Sequence, residues 1–145
     1  MIWYFDTSVL VAAAVTKHPH NALALAVLEK LLVQKHRGVI SAHSLTEVYS
    51  VLTRTPFNPP LHPSEAWQII EDMILPRMEM VALTAKEYRE VVLRCAGSGW
   101  AGGRVHDAVH LRCAQKADCA RMYTFNVRDF RALAPAGFVD RIAAP

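Results

Sequence analysis

Residues 1–10 read MIWYFDTSVL. Ile2 to Phe5 are apolar, aromatic or β-branched with no polar break, which predicts a strand buried on both faces. Asp6 ends the run. Thr7 or Ser8 can cap a helix through Val9, Leu10 and Val11. A carboxylate at the carboxyl end of a buried strand lies where open α/β sheets place their chemistry. The same Asp6 can also serve only as a helix N-cap, and the rest of the chain must decide between the two.

At 145 residues the chain is expected to form one domain, 1–145, with enough core to bury roughly 70% of its unfolded surface. With 52% hydrophobic and 20% charged residues it reads as an ordered globule rather than a disordered tail. No apolar run reaches the ~18 residues that span a bilayer. No basic region precedes the N-terminal apolar run, so it does not read as a signal peptide. The expectation is a cytoplasmic protein with no membrane attachment. Cys95, Cys113 and Cys119 are odd in number and form no CxxC pair, which points to buried free thiols. The net charge of +3 is uneven: residues 1–83 hold six Lys/Arg against seven Asp/Glu, and residues 84–145 hold ten against six. A basic C-terminal half suits a phosphate-rich partner, or simply a solvated face.

Outward from the first strand, Asn21 is placed to cap a helix from Ala22 to about Arg37, with a Leu25, Leu28, Leu31, Leu32 stripe and Gly38 as its stop. Val39 and Ile40 read as a short strand. Ser41 or Ser44 opens a third helix, with Leu45, Val48, Tyr49 and Leu52 on one face. Thr53 to Pro63 carries four of the eight prolines and reads as a stiff connector. Ser64 is expected to cap Glu65 to Leu75, with Pro76 as the stop. Met78 to Leu83 reads as a strand, and Thr84 opens a helix through Ala96 with Glu87 at capping-box spacing. Gly97 to Gly103 is a loop holding Trp100. A helix then runs from about Arg104 to Lys116, Met122 to Phe125 is a strand, and Phe138 to Asp140 is a short last strand. Strands alternating with helices imply a mainly parallel sheet covered on both faces, a three-layer α/β/α architecture. Neither GxGxxG nor GxxxxGK[ST] occurs, so no dinucleotide or P-loop site is signalled.

Three acids stand out. Asp6 follows the first strand, Glu47 lies beside the apolar stripe of the third helix, and Asp107 lies near the start of the helix carrying HDAVHLRCA. Singly, each has an ordinary explanation: a cap, a boundary residue, a favourable charge on the helix dipole. Brought together, two carboxylates ~4 Å apart repel by ~4 kcal/mol at an effective dielectric of ~20 and require a cation. An all-oxygen donor set suits Mg²⁺ or Mn²⁺.

FDTSVL, an isolated Glu in the helix after the second strand, HDAVHLRCA, and a strand running into YTFNVRDF together resemble the PIN domain, and within it the VapC toxins of bacterial toxin–antitoxin pairs. The resemblance spans essentially the whole chain. It implies a PIN-like fold and a Mg²⁺- or Mn²⁺-dependent ribonuclease that leaves a 3′-hydroxyl and a 5′-phosphate. It also implies a VapB-like antitoxin and a homodimer. By position, Asp6, Glu47 and Asp107 match the first three acids of the family, and Thr7 or Ser8 matches its supporting hydroxyl. The fourth acid departs: Asn126 stands at its place, and Asp129, three residues on, is the other candidate. Arg104, Arg112, Arg128 and Arg131 are candidates to track the RNA backbone, and Trp100 to stack on a base. Tyr49, Phe57, Leu61 and Trp67 are candidate antitoxin anchors.

Two other readings compete. His106 and His110 stand i, i+4, which resembles the HExxH of zinc hydrolases, although that leaves Asp6 and Glu47 without a role. Asn126 leaves room for a PIN-like module that binds RNA or protein without cutting.

Overall fold

The computed structural model describes residues 1–145. Its centre is a five-stranded sheet of β1 (Ile2–Phe5), β2 (Arg37–Ser41), β3 (Met78–Val81), β4 (Arg121–Tyr123) and β5 (Ile142–Ala143). The spatial order is β3-β2-β1-β4-β5. Every pairing is parallel, so the sheet expected to be mainly parallel is wholly so. Parallel neighbours need crossovers, and helices supply them: α1 (Thr7–Ala14), α2 (Asn21–Val33), α3 (Ala42–Arg54), α4 (Pro63–Ile69), α5 (Ala85–Ser98), α6 (Arg104–Lys116), α7 (Val127–Leu133) and α8 (Ala136–Val139).

The alternation of side chains along β1 divides the core in two. Trp3 and Phe5 enter one cluster with Leu10, Val27, Leu31, Val48 and Leu52. Tyr4 points the other way, among Val109, Leu111, Met122 and Phe130. Helices therefore cover both faces, and burying a side chain such as Phe5 contributes roughly 1.5–3 kcal/mol. All three cysteines are buried and free, as expected. No helix is long and apolar enough to cross a membrane.

Two of the expected helix caps are present. Thr84 accepts from Glu87 N while the Glu87 carboxylate accepts from Thr84 N, the expected capping box. Ser41 caps α3 by accepting from His43 N at 3.1 Å. Several expectations are corrected. Asp6, not Thr7 or Ser8, caps α1. Asn21 starts α2 but spends its amide on Ala12 O and Ala13 O at the end of α1. The buried face of α2 is Ala24, Val27 and Leu31, leaving Leu25 and Leu32 outside. The helix cap before Glu65 is His62 rather than Ser64. From Ile70 to Arg77 the helix first widens into a π turn and then tightens into a 3₁₀ turn that contains Pro76. Phe138 lies in helix α8, and the last strand is β5.

Gly38 is the most consequential correction. It does not stop α2, which ends at Val33, where Lys35 then turns the chain with φ of 53°. Gly38 lies inside β2, pressed against its neighbours. A Cβ there would stand 2.6 Å from Met78 Sδ, 2.8 Å from Leu31 Cδ2 and 2.9 Å from Arg77 O. The last of these is backbone and cannot swing away. Gly38→Ala is therefore expected to cost about 2 kcal/mol, read as a fall in Tm of about 4–8 °C. An unchanged Tm would show that β2 and β3 spread there without penalty.

Candidate active site

Strand order reverses at β1: β2 and β3 lie to one side of it, β4 and β5 to the other. The carboxyl ends of β1 and β4 thus flank a topological switch point, the place where open parallel sheets leave a crevice. Asp6 follows β1 there, and its backbone N–H donates to Tyr123 O at 3.0 Å. The Asp6 side chain is 6% exposed. Its Oδ2 accepts from Ser8 Oγ at 2.7 Å, Thr124 Oγ1 at 2.8 Å and Ser8 N at 3.4 Å. Oδ1 takes none of these and lies 3.8 Å from His110 Nε2. Asp6 is thus both the cap of α1 and a carboxylate with one oxygen left over.

Glu47, in the second turn of α3, has its Oε1 held twice. Thr7 Oγ1 donates to it at 3.1 Å and His110 Nε2 stands 2.5 Å away. A carboxylate only accepts, so Nε2 carries the proton. The other His110 nitrogen, Nδ1, lies 2.7 Å from Tyr4 Oη. Burial works to raise the Glu47 carboxyl, but the hydrogen bond and charge of His110, with His43 and Thr7, hold it below its ordinary range. Burial likewise opposes charge on His110, and the hydrogen bond to Glu47 together with Asp6 and Asp107 outweighs it, raising its pKa.

Asp107, in the first turn of α6, makes no side-chain hydrogen bond or ion pair within the chain. Burial, and then the charge of Asp6, push its carboxyl up to about 6. Asp129 and Glu47 push the same way. The charge of Asp129, in the first turn of α7, therefore reaches Asp107. Asn126 is exposed at the N-cap of α7 without a side-chain cap, and its backbone N–H donates to Thr124 Oγ1 at 3.0 Å.

The remaining candidates divide. Arg104 and Arg128 are exposed at the N-terminal ends of α6 and α7, the helices that bear Asp107 and Asp129. Arg112 is instead paired with Glu87 at 3.2 Å, and Arg131 donates to Ile142 O at 2.9 Å. Trp100 is half-buried, with the Arg94 guanidinium 5.3 Å from its ring centre. Tyr49 and Trp67 are 40% and 44% exposed, whereas Phe57 and Leu61 line a small apolar hollow with Leu52 and Ile69. His106 faces His43 rather than His110, its Nδ1 lying 3.2 Å from His43 Nε2. With His110 turned inward to Tyr4 and Glu47, the pair expected of a zinc hydrolase does not form.

Thr124, Tyr4 and the orientation of His110 are the parts the sequence reading missed. Each had a signal. The parallel register of Phe5 with Tyr123 puts Thr124 beside Asp6, and a tyrosine in a fully buried strand must find a partner for its hydroxyl.

No three His, Cys, Asp or Glu side chains close into a ready-made cation cage. The donor set nevertheless fits a hard divalent ion. Asp6 keeps one oxygen, Asp107 keeps two, and no lysine or arginine is paired with either. Mg²⁺ is commonly held by one or two carboxylates, with water and substrate phosphate completing its shell.

Residues 3–135 match the family model of the PIN domain. Ribonuclease VapC40 of Mycobacterium tuberculosis is 34% identical over 129 residues, covering 88% of this chain and 87% of that one. Among solved structures, VapC20 of Mycobacterium tuberculosis, a sarcin-ricin loop cleaving toxin, superposes with a TM-score of 0.70 at 17% identity, over 91% of this chain and 95% of that one. VapBC2 of Rickettsia felis, bound to a DNA fragment from its promoter, gives a TM-score of 0.64 at 22% identity, over 88% and 90%.

Proposed function

The chain belongs to the PIN-domain family, and from that premise we propose that it is a ribonuclease of the VapC type, the toxin of a toxin–antitoxin pair, dependent on Mg²⁺ or Mn²⁺. One observation carries the metal dependence. Burial, and then the charge of Asp6, push the Asp107 carboxyl up to about 6, and no lysine or arginine is paired with either acid; the one basic group nearby, His110, lies 3.8 Å from Asp6 Oδ1 and is spent on Glu47. The likeness to a VapC ribonuclease across most of both chains supports RNA as the substrate.

When bound, a divalent ion supplies the lowered water pKa and the charge neutralisation that phosphodiester hydrolysis needs. Asp6 and Asp107 would hold it. Ser8 and Thr124 keep Asp6 from turning by donating to Oδ2, which leaves Oδ1 as the free oxygen. Glu47 stays ionised, with Oε2 available to orient a water or accept its proton. Arg104 and Arg128 are the cations free to meet the RNA backbone. Cleavage of a looped or single-stranded RNA should stop in EDTA and return with Mn²⁺ or Mg²⁺. Activity that persists in EDTA would remove the metal from the mechanism, and no activity with any divalent ion would leave the non-catalytic binding module.

Three extensions belong to the same reading. The partner is a VapB-like antitoxin, for which Tyr49 and Trp67 are the exposed anchors, and the active form is a homodimer. At the fourth position Asp129 is favoured over Asn126, because its charge acts on Asp107. Asp129→Ala should therefore lower Mn²⁺ affinity and turnover more than Asn126→Ala, by about tenfold against about twofold. The reverse order, measured by calorimetry and kcat, would make Asn126 the ligand.

A further inference from the structure

We propose that His110, held in place by Tyr4, is a positioning residue that sets the orientation of Glu47; this rests on the ribonuclease reading above. The imidazole is 1% exposed and the Tyr4 side chain 0%. Neither can exchange its partners for water, so each hydrogen bond must be made within the protein. Tyr4 Oη meets Nδ1 at 2.7 Å, and Nε2 meets Glu47 Oε1 at 2.5 Å. Thr7 Oγ1 donates to that same oxygen at 3.1 Å. Two donors on one oxygen fix the carboxylate plane and leave Oε2 as the free oxygen.

The contacts also tie together the elements that bear the acids. Tyr4 stands two residues before Asp6 on β1, and His110 stands one turn beyond Asp107 on α6. Glu47 arrives from α3, whose own cap at Ser41 lies at the end of the neighbouring strand β2. One imidazole thus spans the three segments whose relative placement defines the site. With Oε1 occupied by protein donors, Glu47 acts on water through Oε2 and is not a principal ligand of the ion.

The test is a double-mutant cycle on steady-state cleavage of a fluorogenic RNA at saturating Mn²⁺, with Mn²⁺ affinity measured by calorimetry without RNA. His110→Leu should lower kcat about 10²-fold, the scale of a misplacement of about 1 Å, with KM and Mn²⁺ affinity within about twofold. His110→Gln, which keeps a donor near the Nε2 position, should recover about tenfold of that loss. Tyr4→Phe should lower kcat about fivefold. In a Glu47→Gln background, His110→Leu should cost less than about threefold further, because its effect passes through Glu47. A role confined to packing predicts the opposite: losses that multiply in the double variant, no recovery with Gln, and a fall in Tm that accounts for the lost activity. If His110→Leu does not fold, Tyr4→Phe and His110→Gln are placed in the same cycle against Glu47→Gln, and losses that multiply overturn the proposal. Wild-type protein that cleaves with Mn²⁺ but shows a multiplicative cycle overturns this inference alone. Wild-type protein inactive with every divalent ion overturns the ribonuclease reading and this inference with it.

Discussion

Asp6→Asn is expected to lose about three orders of magnitude of ribonuclease activity, about 4 kcal/mol of transition-state stabilisation, and to abolish growth arrest on expression without a partner. The substitution is nearly isosteric. The Asn carbonyl can keep accepting from Ser8 and Thr124 where Oδ2 does so now. That assignment puts the amide NH₂ where Oδ1 stands, replacing a charged ligand by a donor that no cation tolerates. The fold should survive, so the loss reports chemistry rather than unfolding. Growth arrest by the wild type alone, at equal soluble level of both proteins, is the outcome expected. Equal arrest by both would mean that toxicity does not depend on the site.

Asp107→Asn is expected to remove activity to a similar degree while raising the Tm of the metal-free protein. Burial and the Asp6 charge raise the folded-state pKa of Asp107 from 3.8 to about 6. A carboxyl that holds its proton more tightly folded than unfolded destabilises the fold once it must ionise. The cost is absent below about pH 4, grows between pH 4 and 6, and is fully present above about 6. Asp107 is half-exposed, so solvent screening leaves about 1 kcal/mol of that cost, or about 2–4 °C in Tm. The wild-type Tm without metal should fall across that pH interval, and the Asn variant should show little of the fall. Mn²⁺ should raise the Tm of the wild type and not of the variant. A variant that melts lower than wild type at pH 7 would show that Asp107 is a structural acid.

What the sequence made legible was what local chemistry dictates. The unbroken apolar and aromatic run of Ile2 to Phe5 reads as a buried strand, and Trp3, Tyr4 and Phe5 are buried in it. Thr84 and Glu87 at capping-box spacing place a helix start, and the structure has it there. The acids were legible because Asp6 ends a strand, Glu47 lies on the helix that follows a strand, and Asp107 lies in the first turn of a helix that follows a glycine loop. The hidden parts depend on contacts across the chain. Nothing near Gly38 in sequence says that Met78 and Leu31 will press upon it, so it read as a helix stop. Leu25 and Leu32 look like core by composition, yet the smaller Ala24 and Val27 face inward, where α2 packs closely on α1. His110 read as half of a metal pair because His106 stands four residues before it. Tertiary placement turns one ring toward Tyr4 and the other toward His43. Thr124 stands within YTFNVRDF, but its role became visible only through its position beside Asp6.

The ends of the cleaved RNA test the central claim most directly, because they report which oxygen attacked phosphorus. Hydrolysis by a water at a divalent ion between Asp6 and Asp107 predicts a 5′-phosphate and a 3′-hydroxyl, formed with Mn²⁺ and absent in EDTA. The histidines that crowd the site, His43, His106 and His110, offer the contrary chemistry, in which a base activates the RNA's own 2′-hydroxyl. A 2′,3′-cyclic phosphate with a 5′-hydroxyl, formed equally well in EDTA, would contradict the account.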